Sequence, residues 1–218
     1  MTAGQVSPSI VFIKQGDPSY PRFLFEYLGH SAPAELSVLG NLDILQQKTL
    51  ALFCSIKCPG NLILKTYDLA QQLREAEVPI IGGFHSPMER ECLTILLRGN
   101  QPLIVCPARS LTNMRLPSSY KKPLNQGRLL LLSPFSEQER RHTVELASRR
   151  NQLLAALGTA VFVSYAEPPG KTEALCRQVL QWRKPLYTHR SDFNANLLSM
   201  GAMPLHSAPY LKRILAAS

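Results

Sequence analysis

The chain has 218 residues, enough for one large domain with a small appendage and a sizeable core. Its 45% apolar and 18% charged residues are those of an ordinary globular protein, and no apolar run approaches the ~20 residues that span a membrane. Against 15 Asp and Glu stand 24 Lys and Arg, and the formal charge of +9 favours an anionic partner, nucleic acid first, although a merely basic surface has the same composition.

At the N-terminus, "MTAGQVSPSIVF" lacks a basic start and a long apolar core, so no secretory leader is expected and the protein is expected in the cytoplasm. "SIVFIK" has the pattern of an edge strand, and "DPSYPRFLFEYLG" that of a turn followed by a short aromatic-rich helix. Residues 1–49 therefore read as a small lead-in packed on a sheet. From 50 to 205, apolar runs alternate with helical spacing. "LALFCS" (50–55), "VPIIGG" (78–83), "QPLIVCPA" (101–108), "RLLLLSPF" (128–135), "TAVFVSY" (159–165) and "KPLYTH" (184–189) are near-continuous, as parallel strands covered on both faces require. Between them, 62–77, 88–99, 136–157 and 171–182 space their apolar residues as helices, while 109–127 is less regular, a short helix plus loop. This alternation predicts an α/β fold, a doubly wound, mostly parallel Rossmann-like sheet with helices on both faces. "APYLKRILAAS" closes residues 206–218 as a short amphipathic tail helix.

The five cysteines (Cys54, Cys58, Cys92, Cys106, Cys176) are odd in number and lie mostly in apolar segments, which suits buried, reduced thiols. No second Cys or His pair follows Cys54 and Cys58 at finger spacing, and the histidines show no HExxH pattern, so no metal is expected. After the first strand of the alternating region, "CSIKCPG" lacks the G-x-G-x-x-G turn, and no G-x-S-x-G elbow is present. No cofactor is expected.

Ligands of an open parallel sheet bind outside the carboxyl ends of its strands. The loops there carry Ser55, Lys57, Gly60, Gly83, His85, Ser86, Arg109, Gly170, Lys171 and Thr172, a set of small residues, hydroxyls and cations that suits a phosphate-rich ligand. "YAEPPGKTE" is no strict P-loop, because the required glycine five positions before Gly170 is Tyr165 and two prolines remove amide donors. What remains is a strand–turn–helix whose helix N-terminus can receive an anion. On the 136–157 helix, Arg150 and Asn151 fall inside the apolar arc, whereas Arg149 and Gln152 lie on the polar side. A buried guanidinium is costly unless paired or ligand-facing, and both alternatives stand.

The order "LSVLGNLDILQQKTLALFCS", "IIGGF", "ASRRNQLLAALGTAVFVSYAEPPGKTEAL" and "NANLLSMGAMPL" resembles the DprA/Smf family of DNA-processing proteins, over roughly residues 17–205. The family shares a wider Rossmann-like group with the LOG phosphoribohydrolases. The resemblance implies single-stranded DNA binding in a basic pocket at the strand ends, a role in recombination and natural transformation, a RecA-type recombinase as partner, and a homodimer. Arg150 and Asn151 match the first two positions of the family's Arg-Asn-Arg helix, whose third is Gln152 here. Ser55 matches the serine of its Gly-Ser-Arg turn, with Cys54 and Ile56 in place of the flanking residues and Lys57 as a stand-in for the arginine. Gly83 matches a Ser-Gly turn, and Gly170 and Thr172 fall near a Ser-Gly…Thr-Ala loop.

Three functions are compatible with these residues. The first is nucleic-acid binding without catalysis, with phosphate contacts from Lys57, Arg109, Arg149, Arg150 and Lys171, backbone amides at Gly60 and Gly83, and Phe84, His85 or Tyr165 as stacking platforms. The second is N-glycoside cleavage of a nucleoside monophosphate, as in the LOG group, with Glu173 or Glu89 as the carboxylate; both also suit plain first-turn positions on a helix. The third is a nucleotide sensor without turnover.

Overall fold

The computed structural model describes residues 9–217, so the leader expectation, which rests on the first residues, lies outside the described part. The lead-in supplies β1 (Val11–Lys14), α1 (Leu24–Leu28) and β2 (Glu35–Gly40). Strict alternation follows: β3 (Leu50–Phe53), α2 (Gly60–Glu75), β4 (Ile80–Gly82), α3 (Pro87–Leu96), β5 (Leu103–Val105), α4 (Ser118–Asn125) and β6 (Leu129–Ser133). The last third holds α5 (Val144–Leu157), β7 (Ala160–Val163), α6 (Lys171–Gln181), β8 (Leu186–Thr188), α7 (Ala195–Met200), β9 (Met203–Pro204) and α8 (Ala208–Ala217).

The nine strands form one sheet in the order β1-β2-β6-β5-β4-β3-β7-β8-β9. Pairing is parallel from β6 through to β9, while β2 joins β6 antiparallel and β1 joins β2 antiparallel. Strand side chains alternate between two cores. Ala51, Phe53, Ile81, Leu130, Leu132, Val161 and Val163 point to the face covered by α1, α5, α6 and α7. Leu50, Leu52, Ile80, Leu129, Leu131 and Phe162 point to the face covered by α2, α3, α4 and α8. Double coverage is why these strands read as unbroken apolar runs.

Sequence spacing extends the fifth helix back to residue 136, but the helix begins at Val144. The Thr143 hydroxyl accepts from the Leu146 N–H at 3.2 Å and caps it there, while Glu139 draws in the Ser136 N–H and hydroxyl of the preceding turn. The other end of α5 is held by Lys184. Its Nζ donates to the carbonyls of Ala155 (2.9 Å) and Ala156 (2.5 Å) and lies 4.2 Å from the Tyr27 ring centre. Helix C-termini attract cations. Burial nevertheless outweighs these contacts and pulls the Lys184 pKa down to about 7.

Between about pH 7 and the ordinary lysine value near 10.4, the folded chain has thus released a proton that the unfolded chain retains. Stability is expected to rise with pH across that window, by up to about 1.4 kcal/mol per pH unit, and Lys184→Met to abolish that contribution. Urea unfolding of both proteins at a series of pH values measures it.

Candidate functional site

Strand order reverses between β3 and β7. From β3 the chain crosses by α2 on one face of the sheet towards β4, and from β7 by α6 on the other towards β8. A crevice therefore opens at their carboxyl ends. A cleft of about 870 Å³ lies there, lined among others by Ser55, Ser86, Arg150, Asn151, Lys171 and Thr172.

Its frame is a buried carboxylate. Glu89 stands at the third position of α3, with the Ser86 hydroxyl accepting from its N–H in a capping box. One of its oxygens accepts from the Cys54 N–H at 2.8 Å, and the other from the His85 N–H at 2.8 Å and the Ser86 N–H at 3.1 Å. The loop after β3 and the loop after β4 are thus joined through one side chain. Burial pushes the Glu89 carboxyl above its ordinary value, and Arg150 and the three amides oppose that shift. Within the loop after β4, Phe84 takes a left-handed backbone (φ 47°), uncommon for an aromatic residue, with its ring buried in the core.

Arg150 is 3% exposed. Its Nε donates to Asn151 Oδ1 at 2.7 Å and its Nη1 to the Cys106 carbonyl at 3.0 Å, leaving Nη2 without a hydrogen bond to the described protein. Burial lowers its pKa and Cys106 and Glu89 raise it. Gly83 makes room for this guanidinium: a Cβ there would come within 1.9 Å of Nη1. Gly83 is therefore a packing position behind Arg150.

Three helices point their N-termini into the cleft: α3 at Ser86, α5 at Thr143 and α6 at Gly170. At the first two a hydroxyl occupies one backbone N–H, but α6 has no side-chain cap and leaves its leading amides open. Ser55 accepts from the Glu167 N–H at 3.0 Å, tying the β3 and β7 loops together and keeping its own proton for a ligand. Aligned partial positive charges on a concave surface, beside an arginine and Lys171, are suited to an anion.

Of the residues expected from the sequence, Ser55, His85, Ser86, Glu89, Arg150, Asn151, Gly170, Lys171 and Thr172 line the cleft. Lys57, Gly60, Gly83, Arg109, Arg149 and Glu173 are not in its lining. Arg149 pairs with Glu139 at 2.9 Å and lies over the Phe135 ring, on the outer side of α5. Glu173 accepts from Arg177 at 2.9 Å and from Asn196 at 2.8 Å, so it braces α6 against α7. Neither Glu89 nor Glu173 presents a carboxylate oxygen free of protein donors, which disfavours N-glycoside cleavage through them. Of the stacking candidates, Phe84 is core and Tyr165 packs against the cluster of Cys54, Ala70, Met88 and Cys92; His85 is exposed in the cleft. Burial pushes Cys92, Cys106 and Cys176 up to about 12, so these remain protonated thiols.

Sequence spacing missed His142, Thr143 and Val144, because it placed them inside a helix instead of at its start. A threonine before Val-Glu, as an N-cap ahead of an acidic first turn, was the available signal.

Glu89→Ala leaves three N–H groups, two of them buried, without an acceptor and is expected to cost about 3–5 kcal/mol. Glu89→Gln keeps one oxygen but sets an NH₂ against an N–H, and is expected to cost about 1–3 kcal/mol. Urea unfolding ranks the two.

The model of the family described as DNA recombination-mediator protein A matches residues 11–209. No curated protein matches the sequence. Among solved structures, DNA processing protein A of Streptococcus pneumoniae is similar with a TM-score of 0.77 at 20% identity, over 95% of this chain and 74% of that one. DNA processing protein A of Helicobacter pylori, described for a unique single-stranded DNA binding mode, gives 0.74 at 18% identity over 96% of each chain. The molybdenum cofactor carrier protein of Chlamydomonas reinhardtii gives 0.54 at 11% identity, over 79% of this chain and 99% of that one. At such identities these likenesses establish the fold.

Proposed function

Because the chain belongs to the DNA recombination-mediator protein A family, we propose that its cleft receives the sugar-phosphate backbone of single-stranded DNA. The observation that carries this is the convergence of three helix N-termini and the open Nη2 of Arg150 on one concave surface. Phosphate oxygens meet Arg150, Lys171 and the uncapped amides of α6, with the hydroxyls of Ser55, Ser86 and Thr172 as further donors. Asn151 holds the guanidinium in place through its Oδ1. Such contacts position a strand and carry no base code, so affinity is expected without strong sequence preference. The family's description as a recombination mediator supports the further proposal that the strand passes to a recombinase of the RecA type.

Binding of a fluorescent single-stranded oligonucleotide across a salt series tests this. Log affinity is expected to fall linearly with log salt; Lys171→Ala, at an exposed position, to lower the slope by about 0.7; and Arg150→Ala to weaken binding at every salt concentration. No binding at ~50 mM salt excludes the proposal.

A further inference from the structure

His85 and His142 reach the cleft from distant parts of the chain, the loop after β4 and the residue before the cap of α5. Their rings stack with centroids 5.8 Å apart and planes 28° from parallel. Both are exposed, and neither ring nitrogen is hydrogen-bonded to the described protein. Their surroundings are cationic. His142 faces His85, Arg109 from the loop after β5, Arg150 from α5 and Arg90 from α3. Of the carboxylates on the neighbouring elements, Glu89 is committed to backbone amides, Glu167 stands exposed on the lip before α6, and Glu145 is exposed in the first turn of α5. Lys171 adds a cation on the lip at the start of α6.

A protonated His142 stacked on His85 among three arginines is repelled by its neighbours, so the empty His142 favours its neutral form. A phosphate oxygen within reach of the rings reverses that balance, because each protonated ring then gains an N–H donor and a charge partner. We propose that His85 and His142 are a phosphate-binding pair of this cleft that takes up a proton as a phosphodiester enters. This presupposes that the cleft binds a nucleic-acid backbone, as proposed above. Burial and then the facing His85, Arg109, Arg150 and Arg90 hold the empty His142 below the ordinary imidazole value, so near neutral pH it enters the encounter unprotonated.

The sign follows from linkage. The bound state has the higher pKa and carries more protons, so affinity rises as pH falls through the bound-state value and levels off below the free-state value. Each proton taken up contributes at most about tenfold in affinity per pH unit.

The test uses the full chain and a short fluorescent oligothymidylate, titrated between about pH 8 and pH 5.5 at constant ionic strength. Calorimetry in two buffers of different ionisation enthalpy counts the protons. Wild type is expected to gain about tenfold or more in affinity over that range with net proton uptake, and the double variant His85→Gln, His142→Gln to lose the pH dependence. Binding that is independent of pH, or a pH dependence that survives in the double variant, overturns the histidine pair and leaves strand binding standing. Absence of binding at every pH in low salt overturns strand binding itself, and the pair with it.

Discussion

A single buried carboxylate holds one wall of the cleft together. Glu89 accepts from the amides of Cys54, His85 and Ser86, and so joins the loops that follow β3 and β4. Without it, the buried N–H groups of Cys54 and Ser86 and the part-buried one of His85 would lose their acceptor, and the two loops would lose this shared anchor. Arg150 extends the same frame, fastening α5 to the end of β5 through the Cys106 carbonyl and resting where Gly83 has no side chain. Phe84 carries the conformational cost of the turn after β4, and its buried ring keeps that backbone from relaxing. The site is built from interactions that tolerate little displacement, so its donors are arranged before a ligand arrives.

That arrangement is electrostatic in purpose and distributed in origin. The chain's excess of 24 basic over 15 acidic residues attracts an anion from a distance, but it does not choose the cleft. The choice comes from backbone dipoles: α3, α5 and α6 begin there because the order of strands reverses beside β3. Charged side chains then add to a field already fixed by topology. Of the carboxylates nearby, Glu89 is held by backbone amides and Glu173 by Arg177 and Asn196, while Glu167 stands exposed on the lip.

The sheet was legible in the sequence because double coverage imposes unbroken apolar runs such as "RLLLLSPF", and the helices between them keep a 3.6-residue period. β2 and β9 were not. "ELSVLG" is short and sits in a lead-in rich in turn residues, and β9 is two residues long, so both are strands by virtue of partners distant in sequence. In the site, Arg150 announced itself as a cation on an apolar arc, a conflict between local pattern and burial that only tertiary contacts resolve. Which side of a helix a carboxylate serves was invisible: Glu89 and Glu173 occupy similar first-turn positions, yet one builds the cleft and the other turns away from it. The start of α5 was misplaced because periodicity does not register a cap, and His142 was hidden with it.

The antiparallel join between β2 and β6 has a consequence for how the chain is made. Ser37 of β2 pairs with Ser133 of β6, so the lead-in hairpin leaves the ribosome well before its partner strand exists. At a synthesis rate of ~5–20 residues per second, that interval lasts roughly 5–20 seconds. Throughout it, the nascent β1–β2 ribbon carries Leu36, Val38 and Leu39, all buried in the finished protein, with no sheet to receive them. The antiparallel N-terminal ribbon thus stays unsealed until β6 has emerged, and during that part of translation it is a segment for chaperones to shield.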